Sequence, residues 1–205
     1  MSGYLGSPQI GEVVAKFVKR AMQRNPTLIY CCDPVIGDSD RGVFVEPGLP
    51  ELFRDRLCPM ANILTPNQFE LEWLSGEKIE TADQLVTAAQ ALANPSSSTV
   101  IVTGACLSDM PEDRIVTFAV EGSSVWKIVT PKLRGGISGA GDLFAALFVS
   151  SLVGGSTTAV ALADAVSSTY AILEETVSAA AQEMRIVQGA TSLQNPPVRY
   201  SPTLA

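Results

Sequence analysis

Gly139-Ala140-Gly141-Asp142, followed by the apolar run 143–153, is the stretch around which the rest of the chain is organised. Glycine lets the backbone approach a ligand closely because it has no Cβ. The apolar run is typical of a buried helix, whose first N–H groups point outward at the positive end of its dipole. The stretch therefore predicts an anion site beside a carboxylate that suits a general base for phosphoryl transfer. A helix cap after a flexible loop explains the same four residues without a ligand.

Short apolar runs and amphipathic segments alternate along the first half of the chain. The continuous apolar run at 28–32 is typical of a strand buried on both faces of a parallel sheet, and residues 62–65 and 100–103 are interpreted as a second and a third strand. Apolar residues at helical spacing, preceded by a serine cap, predict a helix over 8–24. This alternation indicates a layered α/β sheet of mainly parallel order. Further helices are expected at 50–57, 67–74 and 81–93, and a Gly- and Asp-rich loop at 37–42.

The second half begins with a different pattern. The runs 115–120 and 125–129 flank a Glu-Gly-Ser-Ser turn and predict a β-hairpin. Helices are expected at 156–175 and 178–188, before an irregular, proline-containing tail. Because neither a repeat nor a linker interrupts the sequence, residues 1–205 are interpreted as a single domain.

Composition narrows the possible functions. The 205 residues are long enough for one sizeable core, and 46% of them are hydrophobic. A net charge of −7 argues against a nucleic-acid or anionic-membrane surface, which requires clustered Lys and Arg. The chain contains no histidine, which excludes Ser-His-Asp and Cys-His mechanisms built within it.

The four cysteines, Cys31, Cys32, Cys58 and Cys106, lack metal-binding spacing. They are interpreted as reduced core residues of an intracellular, cytoplasmic protein, and zinc is not expected. Neither a signal-peptide pattern nor an apolar run of the ~18 to 20 residues that a membrane span needs is found in the sequence.

Polar residues follow each predicted parallel strand. Asp33 follows the first, Thr65 and Asn67 the second, and Thr103 with Gly104 the third. Each has a structural explanation as a turn former, a helix cap or a strand end. Ligands bind beyond the carboxyl ends of such strands, and residues 139–142 are expected to open on the same edge. The grouping therefore predicts one joint site.

Two common phosphate motifs are absent. The sequence has no G-x-x-x-x-G-K-[ST], which excludes a Walker-type nucleotide site. A dinucleotide fingerprint beginning at Gly139 would need glycine where Phe144 stands. Hydride transfer on a nicotinamide cofactor thus has no support.

Three separated motifs carry a family resemblance. Residues 139–144, Gly-Ala-Gly-Asp-Leu-Phe, resemble the anion-hole and base motif of the ribokinase-like superfamily. Residues 32–38 (Cys-Asp-Pro-Val-Ile-Gly-Asp) and 65–72 (Thr-Pro-Asn-Gln-Phe-Glu-Leu-Glu) resemble the pyridoxal kinases, as does the segment Gly-Tyr-Leu-Gly-Ser at 3–7. The resemblance covers essentially the whole chain. It implies a three-layer ribokinase-like fold, with a mostly parallel central sheet flanked by helices, plus a β-hairpin.

The resemblance also implies an activity. It is the ATP-dependent phosphorylation of the 5′-hydroxymethyl group of pyridoxal, pyridoxine or pyridoxamine, which yields pyridoxal 5′-phosphate from pyridoxal. Asp142 would be the base, and the N–H groups of Gly139, Ala140 and Gly141 would stabilise the transferring phosphoryl group. The alternatives are a hydroxymethylpyrimidine kinase of the same superfamily and a non-catalytic, nucleotide-binding remnant.

Further site residues are implied in the same way. Asp33, Asp38 and Glu70 would act around Mg²⁺ and the phosphates. Thr65 and Asn67 would contact phosphate or a monovalent cation, K⁺ or Na⁺. An aromatic residue is expected in the loop that covers ATP, where Phe44 stands. The residues expected to border the nucleotide are Thr103, Gly104, Thr130, Pro131, Lys132 and Leu133.

Relatives carry a considerable segment before the match at residues 3–7. That segment supplies the first strands of their sheet and most contacts to the pyridine ring. The sequence is therefore expected to hold the nucleotide-binding and catalytic portion, with an open sheet edge and uncovered apolar surface. Pairing into a homodimer, as in the family, would relieve both.

Overall fold

Eight strands and seven α-helices make up the described part of the chain. The computed structural model describes residues 1–93, 99–133, 137–194 and 199–205. The strands are β1 (Cys31–Cys32), β2 (Gly37–Asp38), β3 (Gly42–Val43), β4 (Ile63–Leu64), β5 (Thr99–Ala105), β6 (Arg114–Glu121), β7 (Ser124–Pro131) and β8 (Thr203–Leu204). The helices are α1 (Pro8–Arg24), α2 (Leu49–Leu52), α3 (Gln68–Ser75), α4 (Ala82–Leu92), α5 (Ala140–Val153), α6 (Thr158–Ser178) and α7 (Ala190–Gln194).

The central sheet has six strands in the order β1-β4-β5-β6-β7-β8. The pairs β1–β4 and β4–β5 are parallel, whereas β5–β6, β6–β7 and β7–β8 are antiparallel. Strands β2 and β3 form a separate two-stranded hairpin. The expected α/β class is confirmed, and its parallel portion brings the carboxyl ends of β1, β4 and β5 to one edge.

Helices cover both faces of this sheet. On one face, Phe53, Leu71 and Leu85 belong to the core beneath helices α1 to α4. On the other face, Phe148 of α5 and Leu162 of α6 form a second core cluster with Ile63 and Ile101 of the sheet. Burying apolar side chains on both faces is the main stabilising contribution to such a layered fold.

Local capping signals located three helices correctly. Ser7 caps α1, its Oγ accepting a hydrogen bond of 3.4 Å from the N–H of Ile10. Asn67 and Thr81 cap α3 and α4 in complete capping boxes. The predicted hairpin is confirmed as β6 and β7, and the apolar run that begins at Leu143 lies within α5.

Two helix predictions require correction. Residues 178–188 were expected to be helical, but α6 itself continues to Ser178 and the chain then turns. Ala180 has φ +49°, a left-handed conformation that stops a right-handed helix, and the N–H of Ala181 bonds back to the carbonyl of Thr176. The helix expected at 50–57 is only partly α-helical, because a π-helical turn, Phe53–Leu57, follows α2.

The predictions for 37–42 and for the tail were also wrong in part. The expected loop is the β2–β3 hairpin, and the expected irregular tail ends in β8, which pairs with β7. All three strands are two residues long, so the contacts that the fold brings to them decide whether they form. Residues 195–198, which include Pro196 and Pro197, lie outside the described ranges.

The apolar residues of α1 do not all face the core. Val18 is buried with Gly11 and Ala15, whereas Val13 and Phe17 are exposed, Phe17 at 71%. The outer edge of β1 carries a single parallel bridge, from Ser2 to Cys32, among the described residues. The exposed side chains of Val13 and Phe17 agree with the expected uncovered apolar surface, whereas the expected open edge is occupied at Cys31 and Asp33 by backbone hydrogen bonds with Ser2. Within the described ranges, no helix combines the length and apolar character needed to cross a membrane.

Gly37 provides a test of the close packing beneath β2. A Cβ at this position would press into the carbonyl oxygen of Gly42 and would stand 2.7 Å from a ring carbon of Phe69. We expect Gly37→Ala to lower the free energy of unfolding by about 1–3 kcal/mol, as overpacking does. Gly6→Ala is the control, since its Cβ would meet Ile10 at an ordinary 3.7 Å. Equal melting temperatures for the two variants in thermal unfolding would contradict this packing.

Candidate active site

A pocket of about 300 Å³ lies at the carboxyl edge of the parallel strands. It brings together most of the site residues expected from the sequence. Those that line it are Asp33, Asp38, Phe44, Thr65, Asn67, Glu70, Thr103, Gly139, Ala140, Gly141 and Asp142. The expected joint placement of residues that follow different strands is therefore observed.

The N-terminus of α5 opens into this pocket. Gly139 is its N-cap in a left-handed conformation, φ +89°, and no side chain of the described residues caps this end. A Cβ on Gly139 would stand 2.9 Å from Cε of Met184, so glycine suits both the turn and the space. The first N–H groups of α5 are thus available to an anion.

Two carboxylates lie beside that helix end. Asp142 is exposed in the first turn of α5, whereas Asp33 is buried, at 5% exposure. Burial, followed by the nearby charge of Asp142, raises the pKa of Asp33 to about 7, and the Thr65 hydroxyl opposes the rise. A Cβ on Gly141 would stand 3.7 Å from a carboxylate oxygen of Asp33, which places that carboxylate close to the α5 backbone.

Gly3 also approaches Asp142, although it was not among the expected site residues. A Cβ at Gly3 would stand 2.8 Å from Oδ1 of Asp142, closer than such atoms normally approach. The N–H of Asp33 bonds to the carbonyl of Ser2 at 2.9 Å, which holds the segment against β1. Only the tertiary fold reveals this approach.

Asn67 and Glu70 join α3 to the loop that follows β1. The two oxygens of Glu70 accept hydrogen bonds from the N–H groups of Ile36 and Asn67, at 3.0 and 2.8 Å. Asn67 accepts from the N–H of Glu70 and donates Nδ2 to the carbonyl of Gly37, at 2.9 and 2.8 Å. Burial raises the pKa of Glu70 to about 8, and the backbone donors oppose the rise. We call these four bonds the Asn67–Glu70 clasp.

Arg41 brings a cation into the pocket and was not among the expected site residues. Its Nε donates to Oδ2 of Asp38 at 2.7 Å, and its guanidinium lies 4.4 Å from the centre of the Phe44 ring. These hydrogen bonds lower the pKa of Asp38 below its ordinary value. The sequence signal that could have identified this site residue is an arginine within a Gly- and Asp-rich turn. Phe44, expected near ATP, is thereby fixed at the pocket rim.

A second groove, of about 470 Å³, continues from the pocket and shares Asn67 and Ala140 with it. Gly104, Pro131, Lys132 and Leu133, expected to border a nucleotide, all line this groove. Thr130 is buried and lines a deeper cavity instead.

Cys106 also lines the groove and is exposed, 3.5 Å from Nζ of Lys132, which corrects its assignment to the core. Cys31, Cys32 and Cys58 are buried as expected.

The carboxylates do not form a preassembled metal cage. Among the described residues, no three of His, Cys, Asp and Glu cluster in a way that would hold a metal ion. Glu70 uses both oxygens on backbone N–H groups, and Asp38 is paired with Arg41. Mg²⁺ commonly takes one or two carboxylates and completes its shell with water and phosphate, so Asp33 fits that demand best.

Comparison with known proteins identifies the family of this chain. The family model described as phosphomethylpyrimidine kinase matches residues 2–188. The pyridoxal kinase PdxY of Rubrobacter xylanophilus is 41% identical over 201 residues, which span 98% of this chain and 69% of that protein.

Solved structures agree on the fold. PdxK of Plasmodium falciparum, solved with AMP-PNP and PL, superposes with a TM-score of 0.89 at 19% identity, over 99% of this chain and 73% of that one. Pyridoxal kinase of Leishmania donovani, solved with ADP and ginkgotoxin, gives 0.87 at 25% identity, over 99% and 72%. The chain therefore belongs to the phosphomethylpyrimidine kinase family and, within it, to the pyridoxal kinases.

Proposed function

We propose that this chain transfers the γ-phosphoryl group of ATP to the 5′-hydroxymethyl group of pyridoxal or a related B6 vitamer. The observation that carries the proposal is the uncapped N-terminus of α5 with Asp142 in its first turn, facing a pocket at the strand ends. Relatives at 34–42% identity are named pyridoxal kinases, which makes this the leading substrate class.

In this reaction each group has a distinct task. Asp142 accepts the proton of the substrate hydroxyl as its oxygen attacks the γ-phosphorus, and the bond from that phosphorus to the β,γ-bridging oxygen breaks to release ADP. The N–H groups at residues 139–141 donate to the phosphoryl oxygens, where negative charge is spread in the transition state. Catalysis then depends mainly on the positions of the reacting groups and on electrostatic stabilisation. A carboxylate, although a weak base, is therefore sufficient as the proton acceptor.

Magnesium is part of the proposal because the pocket has an excess of negative charge. Asp33, Asp38, Glu70 and Asp142 face a single guanidinium, that of Arg41, among the described lining residues. Asp33 would hold Mg²⁺, which would screen the phosphates from these carboxylates when bound. Asp38 and Glu70 would act on it through water. Thr65 and Asn67 are proposed to contact phosphate or a monovalent cation, K⁺ or Na⁺.

The nucleotide is proposed to extend along the groove bordered by Gly104 and residues 131–133, with Thr103 beside it in the pocket, Thr130 in the deeper cavity and Phe44 over it. A cytoplasmic homodimer is proposed for the same chain on the family likeness. The alternative acceptor is a hydroxymethylpyrimidine, and the matching family model, described as phosphomethylpyrimidine kinase, supports a pyrimidine of this kind. Parallel assays with pyridoxal and hydroxymethylpyrimidine would separate the two, and turnover of the pyrimidine alone would overturn the B6 assignment.

Replacing the proposed base tests the mechanism. We expect Asp142→Asn to lower kcat by roughly 10²- to 10⁴-fold, the usual contribution of a general base, with binding of Mg·ATP retained. Asp113→Asn is the matched control, because this exposed aspartate lies outside the pocket.

A coupled ADP assay measures turnover, and calorimetry measures the binding of Mg·ATP. Unchanged turnover in the variant would remove Asp142 from this role. Binding of Mg·ATP by the wild-type chain, without any vitamin-dependent turnover, would instead indicate a non-catalytic remnant.

Gly3 offers an independent test of the position of Asp142. We expect Gly3→Ala to lower kcat by about 10- to 100-fold, because the methyl group displaces a base that must be placed to within about 1 Å. Gly6→Ala changes the same short segment without a close contact and should retain activity. Equal kcat values for both variants would show that the Gly3 approach does not constrain Asp142.

A further inference from the structure

Arg41, in the turn between β2 and β3, carries the one cationic side chain among the described residues that line the pocket. Four carboxylates and the N-terminal turn of α5 line the same pocket. The side chain of Arg41 is 61% exposed, and Arg41 does not line the groove along which the nucleotide is proposed to extend. The guanidinium therefore lies on the side of the pocket that faces the α5 N-terminus, away from the groove.

Asp38 fixes one edge of this guanidinium. Its Oδ2 accepts hydrogen bonds from Nε of Arg41, at 2.7 Å, and from Nη2. Its Oδ1 accepts from the backbone N–H groups of Asp40 and Arg41, at 3.2 and 2.8 Å. Both carboxylate oxygens are thus used within the hairpin turn, and the Nε edge of the guanidinium is anchored to the backbone through Asp38.

Phe44 restrains the flat face of the same group. The guanidinium carbon of Arg41 lies 4.4 Å from the centre of the Phe44 ring, within the range of a cation–π contact. An exposed ion pair alone holds a long side chain weakly. The ring and the short hairpin add restraints, so Arg41 loses less conformational freedom when it binds a ligand than an unrestrained arginine does.

The remaining donors of Arg41 have no partner within the described residues. A guanidinium has five N–H donors, and Asp38 accepts from Nε and from Nη2. Nη1 and the second N–H of Nη2 make no hydrogen bond to a described residue, and they belong to a side chain that lines the pocket. A planar fork of such donors matches two oxygens of a phosphoryl group.

Arg54 shows which of these features distinguish Arg41. Its Nε donates to Oδ1 of Asp55 at 2.7 Å, and its guanidinium lies 5.5 Å from the centre of the Trp73 ring. Arg54 therefore has a carboxylate and an aromatic partner as well, but it lines neither the pocket nor the groove. An ion pair with a ring contact occurs elsewhere in the chain, whereas the free donors of Arg41 belong to the wall of the proposed reaction site.

We propose that Arg41 is a catalytic residue that donates hydrogen bonds to the γ-phosphoryl group of ATP during its transfer. This inference rests on the proposed function. As the acceptor oxygen bonds to the γ-phosphorus, the bond to the β,γ-bridging oxygen breaks, ADP leaves and Asp142 takes the hydroxyl proton. Arg41 keeps its protons and its charge throughout. Its fixed cation offsets the negative charge that the carboxylates of the pocket would otherwise present to the transferring group.

Arg41→Gln tests this role, because it removes the charge and keeps a polar side chain. We expect kcat to fall by roughly 10²- to 10³-fold, as for the loss of one donor to a transition-state oxyanion, with the KM of pyridoxal unchanged. The affinity for AMP-PNP should fall roughly 10- to 100-fold and that for ADP by less than about 3-fold, since only AMP-PNP carries a γ-phosphoryl group. Arg54→Gln, the matched control, should retain wild-type values.

Chemical rescue separates contact with the phosphoryl group from a structural role. Guanidinium ion, added well below denaturing concentrations, should restore part of the kcat of Arg41→Ala, because it can occupy the vacated space. Sodium chloride at the same ionic strength should not restore it. Arg41→Lys keeps the charge but lacks the planar fork, so its kcat should lie between those of the wild type and Arg41→Gln. Thermal unfolding of each variant shows whether the fold is retained.

Three outcomes would overturn the inference. Wild-type kcat in Arg41→Gln would remove Arg41 from the reaction. Equal losses of affinity for ADP and AMP-PNP would show that Arg41 only shapes the pocket through Asp38 and Phe44. A folded Arg41→Ala variant that guanidinium does not rescue would contradict a direct contact. A wild-type chain without vitamin-dependent turnover would instead overturn the proposed function, and measurements on the wild type alone reveal that case.

Discussion

The geometry of the pocket depends on the Asn67–Glu70 clasp. A buried carboxylate is costly unless its oxygens are hydrogen-bonded, and each oxygen of Glu70 has a backbone N–H as partner. One of those partners lies in the loop after β1 and the other at the start of α3, so the carboxylate fixes two strand ends relative to one another. Asn67 adds a bond to Gly37 and a bridge to Thr103 of β5. Three neighbouring strand ends are thereby held together before any ligand binds.

The charges of the site are arranged for a ligand that carries both signs. The N-terminus of α5 favours an anion, while Asp33 and Asp142 repel one. Burial, followed by the charge of Asp142, raises the pKa of Asp33 to about 7, so a neighbouring cation would favour the charged form of this carboxylate. A phosphate accompanied by a divalent cation satisfies the helix end and the carboxylates together. The same reasoning explains how a chain with a net charge of −7 can hold a polyphosphate.

The sequence was informative where structure is decided locally. Capping boxes at Asn67 and Thr81 and the glycine turn at residue 139 each determine a helix start through neighbouring residues, and those helices were placed correctly. The β2–β3 hairpin and β8 are each formed of two-residue strands, which distant partners stabilise. Gly3 and Arg41 escaped prediction for the same reason. Their roles follow from what the fold brings next to them, and residue type alone carries no such information.

Strand β5 explains why the pocket, the groove and the deeper cavity lined by Thr130 meet where they do. Among the described strands it pairs in parallel with β4 and antiparallel with β6, and its register with β6 shifts between Val102 and Ala105. Gly104, at φ +59°, lies within that shift. An irregularity of this kind bends a strand away from its neighbour and leaves backbone unpaired. Thr103 borders the pocket and the deeper cavity, and Gly104 borders the groove and the deeper cavity, so one break in the ladder lies beside all three. On the parallel side of β5, the ends of β4 and β5 bring Thr65 and Thr103 to the pocket, and on its antiparallel side β6 contributes Ile115 and Thr117 to the wall of the deeper cavity.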